Sequence, residues 1–264
     1  MGMTNDLLYA VSKIRVVFIN EDNTYSVTSF GTGFFIVKVD KEYFITNRHV
    51  VDPERIESIK GRNFHLYQIY IDRRVIKERN SPQTEELLVK SFKQTLPDNE
   101  FDDIACLSEI EYNTIPTIGY TRIDFELLAD KELFDTSFSI CDMLAFIGFP
   151  EGQYDVKHNL PIVRSGIISS DPRVNYSVGD NDRGNRIAYE VFSTGGSSGS
   201  PVFSIQKGFP LGKGLSGPTD FYRPVKLIGI NAGHLLDPKT GGHLQLSYFY
   251  RSDQIISIIE KAEK

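Results

Sequence analysis

The chain reads as an all-β protein with one helix at its C-terminal end. Short apolar or alternating segments recur along its whole length, each bounded by Gly, Pro, Asn or Asp. Aromatic residues are abundant, with 18 Phe and 13 Tyr among 264 residues, and these types suit a pleated, half-buried surface. The clearest helical spacing comes last, where Ile255, Ile256, Ile258 and Ile259 fall on one face.

Taken in order, residues Asn5 to Lys13 suit a short helix with Asn5 as its cap. Ile14 to Ile19 is a strand, Asn20 to Asn23 a turn, and Tyr25 to Ser29 a returning strand. Phe34 to Val39 and Glu42 to Thr46 form a hairpin around Asp40-Lys41, and Phe64 to Ile71 alternates as a further strand. Lys77 to Asn99 is polar and turn-rich and reads as a long surface excursion. A strand follows Asp103, and Glu111 to Asp135 is a connector with a helical patch at Phe125 to Leu133. Six strands follow: Met143 to Phe149, Val163 to Ser169, Arg186 to Val191, Pro201 to Ile205, Pro224 to Ile230 and Leu244 to Tyr250. Ser252 is expected to cap the terminal helix, and the glycine-rich Lys207 to Gly217 to be a surface loop.

Length allows one large β domain or two small ones. Lys and Arg total 29 against 35 Asp and Glu, a net charge of −6, which argues against nucleic acid as a partner. The basic candidate Asp72 to Arg79 reads as the solvated face of a strand and turn. No run is long and apolar enough to span a bilayer, and the N-terminus lacks the basic start and apolar core of a signal peptide. Cys106 and Cys141 both lie in apolar segments and read as buried free thiols. The sequence as given is therefore expected to be cytoplasmic, with no membrane partner; it does not speak to oligomeric state. No Cys/His pair has metal-ligand spacing and no Gly-Lys-Ser/Thr phosphate loop occurs, so neither metal nor cofactor is expected.

Chemistry concentrates in Thr194-Gly195-Gly196-Ser197-Ser198-Gly199-Ser200-Pro201. Glycine lets the backbone turn sharply and approach a ligand. Ser198 then stands at the tip of a turn, and the amides of Gly196 and Ser198 can converge beside its hydroxyl as an oxyanion hole. Gly/Ser runs also make flexible linkers, but this one lies between two strand-like segments. A serine hydroxyl needs a base, and imidazole titrates near neutrality. His49 ends the β-rich segment Phe44 to Val51, and Asp102-Asp103 precedes the apolar Ile104-Ala105-Cys106-Leu107. Each alone has a bland reading, as a packed histidine or a turn-forming acid; the chain order His, Asp, Ser makes the three informative together. An esterase with a Gly-x-Ser-x-Gly elbow would place its histidine last, and strand-like residues would not directly follow the serine.

These segments resemble a known pattern. Gly31-Thr32-Gly33-Phe34-Phe35-Ile36, Thr46-Asn47-Arg48-His49-Val50, Asp103-Ile104-Ala105-Cys106-Leu107, Ile147-Gly148-Phe149-Pro150, Ser193 to Phe203 and Leu227 to Gly233 resemble, in order, the motifs of trypsin-like serine peptidases. Among these the chain is most similar to the bacterial glutamyl endopeptidases and related bacterial trypsin-like domains, with Ser197 where Asn or Asp is usual. The resemblance runs from about Lys13 to Lys264 and implies two six-stranded antiparallel β-barrels of the chymotrypsin fold with a C-terminal helix. It divides the chain into an N-terminal barrel over 1–112, a connector over 113–135 and a C-terminal barrel over 136–264.

The same resemblance implies an endopeptidase that works through an acyl-enzyme on protein or peptide substrates, with His49, Asp103 and Ser198 as catalytic triad. It selects Asp103 over Asp102, which is expected to point into solvent. It also implies a substrate pocket at Phe192, Ser193 and Asn231. Asn231 stands where the glutamyl branch has histidine, so a shallow, polar-to-neutral pocket is expected, in which the Asn231 amide can still donate a hydrogen bond. The alternative class is a catalytically inactive trypsin-like domain that serves as a protein-binding module.

Overall fold

A computed structural model describes residues 3–78, 81–177, 184–208, 222–237 and 239–264, without the side chains of 73–83. The basic side chains of the Asp72 to Arg79 candidate are therefore not described, and the glycine-rich loop from residue 209 to 217 lies outside the described residues.

The first barrel is built from β1 (Val11–Asn20), β2 (Ser26–Lys38), β3 (Lys41–Thr46), β4 (Phe64–Glu78), β5 (Ser81–Thr95) and β6 (Ala105–Tyr112). They hydrogen-bond in the order β1-β4-β5-β6-β3-β2, and the β1–β2 pairing closes the ring. Alternation decides what faces in: Ile14, Val16 and Phe18 of β1 join Phe35, Phe44, Ile69, Ile71 and Leu107 in its core. Two expectations change here. The stretch read as a polar excursion carries β5, which pairs with β4 and β6. Tyr25 to Ser29 and Phe34 to Val39 are one strand, because Gly31-Thr32-Gly33 continue the pairing with β1 (Gly31↔Ile14, Gly33↔Ser12) instead of breaking it. Gly33 is needed for a close approach, since a side chain there would meet the Phe44 ring at 2.2 Å.

A parallel pair joins β7 (Ile123–Asp124) to β2; the expected helical patch is split into a 3-10 turn over Phe125–Leu127 and the start of helix α2 (Lys131–Thr136), which runs past its end. The second barrel comprises β8 (Met143–Gly148), β9 (Ile162–Ile168), β10 (Arg186–Glu190), β11 (Pro201–Ser204), β12 (Lys226–Leu236) and β13 (His243–Arg251), closed in the order β10-β13-β12-β11-β8-β9. Phe146, Ile187, Tyr189, Val202, Ile228 and Phe249 fill it.

A third apolar cluster lies between the barrels, where Phe34, Ile45 and Cys106 meet Ile147, Phe149, Phe203 and Ile230. The terminal helix α3 (Ser252–Ala262) seals it with Ile255, Ile258 and Ile259. Burying each isoleucine is worth roughly 1.5–3 kcal/mol, so this helix fastens one barrel to the other. Ser252 does not cap α3: it is the first helical residue, and its hydroxyl donates to the Ala129 carbonyl at 2.5 Å. At the other end Thr4, not Asn5, caps a short 3-10 helix over Asn5–Tyr9. Burial pushes the Cys106 thiol up to about 12. Cys141 is exposed, contrary to expectation, on a turn where its φ is 66°. No helix among the described residues is long and apolar enough to cross a membrane.

Candidate active site

Helix α1 (Arg48–Val51) is a single turn that follows β3 directly, and it carries His49 to the face where the barrels meet. The Asn47 side chain donates to the Asp103 carbonyl at 2.6 Å, so the two segments are tied before any ionisable group is counted. One Asp103 oxygen accepts the His49 backbone N–H at 2.8 Å; the other lies 2.5 Å from His49 Nδ1. Residue and ring are thus held by one carboxylate. With the Nδ1 proton given to Asp103, neutral His49 leaves Nε2 as its lone-pair nitrogen. Burial lowers the imidazole's affinity for its proton, but the Asp103 charge and hydrogen bond outweigh it and hold His49 above its ordinary value. Burial would raise Asp103, and the same partner holds it below the usual carboxylate range.

Ser198 arrives from the second barrel on the loop between β10 and β11. Its carbonyl accepts the Thr32 N–H at 2.8 Å, the Thr32 hydroxyl donates to the Gly196 carbonyl at 2.8 Å, and the Thr46 hydroxyl donates to the Thr32 carbonyl at 2.8 Å. Thr32 and Thr46 lie on the strands leading to α1, so these bonds draw the serine loop to the histidine segment. A side chain at Gly31 would meet both Val50, at 2.9 Å, and the Ser198 carbonyl, at 3.3 Å. Gly196 (φ 78°) and Gly199 (φ 88°) adopt the left-handed region, and at Gly199 a side chain would lie 1.8 Å from the Thr32 carbonyl. The Gly195 carbonyl accepts the Glu151 N–H at 2.6 Å. A trans peptide points its next N–H the opposite way, so the Gly196 amide faces away from Glu151. Neither the Gly196 nor the Ser198 amide donates a backbone hydrogen bond among the described residues. Ser197 is buried with a hydroxyl that finds no partner among the described residues, and it bonds through its backbone alone.

A family profile for the trypsin-like peptidase domain matches residues 31–212, a span that holds His49, Asp103 and Ser198. The chain belongs to the trypsin-like peptidase family. That match is to the broad family and does not single out the glutamyl endopeptidase branch. The crystal structure of Deg5 is similar in fold over 96% of this chain and 88% of its own, with a TM-score of 0.53 and 15% identity. No curated protein gives a significant match.

Beside the loop of this trypsin-like domain, the structure brings Ser193 and Asn231 into contact but buries both. The Asn231 amide donates to the Ser193 hydroxyl at 3.0 Å and to the Ser197 carbonyl at 2.8 Å, while its oxygen accepts from the Tyr189 hydroxyl at 2.6 Å. Both amide hydrogens are committed, so the donor expected at Asn231 is already engaged. Phe192 is 46% exposed. Its ring lies 4.5 Å from His243, which stacks 4.4 Å from His234. His243 Nδ1 accepts the Gln245 N–H at 2.7 Å, so Nε2 carries the proton given to the Ser193 carbonyl at 2.7 Å. Burial and the neighbouring His243 hold His234 below its ordinary value. On the other side of the serine loop a cavity of about 480 Å³ is lined by Lys13, Phe30, Gly31, Phe149, Glu151 and Gly196 among others.

Asp102 departs from expectation. It is 0% exposed and faces the second barrel, where its carboxylate accepts the Asn185 N–H at 2.7 Å and the Asn185 side-chain amide at 2.8 Å. Asn185 and Tyr189 carry no motif signal of their own, because each gains its partner across a large gap in sequence, at Asp102 and Asn231.

Proposed function

We propose that the chain is a serine endopeptidase whose catalytic triad is His49, Asp103 and Ser198. The observation that carries this is the two-point hold of Asp103 on His49 beside a glycine-rich serine loop with two uncommitted amides. In the reaction, Ser198 Oγ attacks the scissile carbonyl and its proton passes to His49 Nε2. The oxyanion that forms accepts from the Gly196 and Ser198 N–H groups. Collapse of that intermediate breaks the C–N bond, and the leaving amine takes the proton from His49. Water then adds to the acyl ester with His49 again as base, and Ser198 recovers its proton. Asp103 fixes the tautomer and stabilises the imidazolium without itself becoming protonated.

The substrate side chain before the scissile bond is proposed to be uncharged. It would lie against Phe192 and the stacked His243 and His234, above a floor of Ser193 and Asn231, where the Phe192 ring and the hydrogen-bonded Ser193 and Asn231 offer no charge to pair with. The leaving segment would pass over the cavity at Phe30 and Phe149. Two unpaired cysteines fit a reducing compartment, so cytoplasmic proteins or peptides are the proposed substrates. A peptide library sampled by mass spectrometry tests the reading. Cleavage after uncharged residues that vanishes in Ser198→Ala supports it; absence of any cleavage by the wild-type chain favours the inactive, protein-binding alternative.

A further inference from the structure

The residue next to the proposed triad acid does something the triad does not explain. Asp102 is fully buried, and both its oxygens are engaged by one residue of the other barrel. Asn185 is itself pinned, since its carbonyl accepts the Arg251 N–H at 3.0 Å just before α3 begins. One position earlier, the Phe101 carbonyl accepts the Tyr250 hydroxyl at 2.8 Å. One position later, Asp103 turns back to His49 in the first barrel. Gly184 presses against the same carboxylate, at φ 90°, where a side chain would lie 2.4 Å from it. Residues 101 and 102 are therefore fastened to the second barrel, and residue 103 serves the first.

We propose that Asp102 is a positioning residue: by bridging the barrels to Asn185 it sets where the Asp103 carboxylate meets His49. The proposal rests on the peptidase reading only for its effect on rate. Aspartate is what the geometry requires, because Asn185 offers two donors and a carboxylate offers two acceptors. An amide in place of the Asp102 carboxylate would set one of its own N–H groups against a donor. Exchanging the two side chains, Asp102→Asn together with Asn185→Asp, has no such conflict. The amide oxygen at position 102 then accepts the backbone N–H of position 185, and its NH₂ donates to the carboxylate placed there.

The test compares Asp102→Asn, Asn185→Asp and the double exchange by two readouts. The first is kcat and KM on a cleaved peptide. Displacing a catalytic group by a fraction of its reach costs up to about 10²-fold, so Asp102→Asn is expected to lower kcat by roughly that factor with little change in KM. The second is the proton NMR signal of His49 Nδ1–H in the Ser198→Ala background, which reports the contact with Asp103 and needs no activity. It should be lost or shifted in Asp102→Asn and return in the double exchange, together with most of kcat. Asp102→Asn within twofold of wild type in kcat, or a fall in kcat with the His49 signal unmoved, overturns the proposal. If Asp102→Asn does not fold, the exchange decides: folded with the signal in place supports it, unfolded or without the signal overturns it. If the wild-type chain cleaves nothing, the His49 signal still tests this proposal while the peptidase reading falls.

Discussion

In the first barrel His49 is held by a single charged group, with Asp103 oxygens 2.8 and 2.5 Å from two of its nitrogens and 32% of its side chain still exposed. In the second barrel the Ser198 loop is held by the Thr32 backbone N–H on the Ser198 carbonyl, the Thr32 hydroxyl on the Gly196 carbonyl and the buried Asn231 amide on the Ser197 carbonyl, with no charged side chain among those bonds. Under the proposed peptidase reading the difference is one of task. A base must exchange a proton near neutrality, so its partner is ionic and reachable by water. A nucleophile and its oxyanion donors must not move as charge develops, so their supports are rigid, neutral and dry. The first half should therefore fail by titration and the second by steric disruption.

The largest effect should fall on both halves at once. Ser198→Ala and His49→Ala should each remove nearly all of kcat, and the double variant should be no worse than either, because the groups act as a unit. Asp103→Asn should cost on the order of 10⁴ in kcat by presenting the wrong tautomer. Additive losses in single-turnover rates would break the comparison.

Next comes the steric half. Gly199→Ala combines a left-handed φ of 88° with a clash against the Thr32 carbonyl. Overpacking plus left-handed backbone should cost about 3 kcal/mol or more, read as a fall in Tm of roughly 6–12 °C. Asn231→Ala should cost somewhat less, about 2–3 kcal/mol, because it strands the buried Tyr189 hydroxyl and the Ser197 carbonyl without filling their places. If Asn231→Ala melts like the wild type but alters substrate choice, Asn231 faces the pocket after all.

The smallest effect is the one the ionic half should show alone. His49 is raised, so the acid limb of kcat/KM should sit above the ordinary histidine value of about 6.5, with the neutral base appearing only as pH climbs past it. The same shift has a stability sign. A raised histidine stabilises the fold fully below its unfolded pKa and loses that contribution as pH rises through its folded one. Asp103, held low, contributes above the ordinary carboxylate range and loses that as pH falls through its folded value. Wild type should therefore lose stability relative to His49→Gln between about pH 6 and 8; a flat difference in denaturant midpoints would contradict the coupling.

Much of the fold was legible because local chemistry and burial agree. All six strands of the second barrel occur at the segments their patterns mark, although β12 runs past the expected Ile230 end to Leu236. In the first barrel β5 was not legible: Ser81 to Thr95 is polar along much of its length and carries Pro82, so it looks like a loop until β4 and β6 pair with it. Reading β2 as two strands came from Gly31 and Gly33, whose missing side chains serve close contacts and not a turn. At the site, His49 and Asp103 could be paired from motif order, and the structure puts them in contact. Asp102 was expected in solvent and is buried, since its partner Asn185 lies 83 residues away and nothing local to the sequence marks it. Asn231 was legible as a position but not as a saturated one, because its partners Tyr189, Ser193 and Ser197 come from another strand and its loop.

The most direct test of the central claim is the pH dependence of covalent labelling by a fluorophosphonate, with the adduct mapped by mass spectrometry. The account predicts a single adduct on Ser198, formed faster as His49 loses its proton and almost absent in His49→Ala. An adduct on another residue, or labelling of Ser198 that is indifferent to pH and to His49, would contradict it.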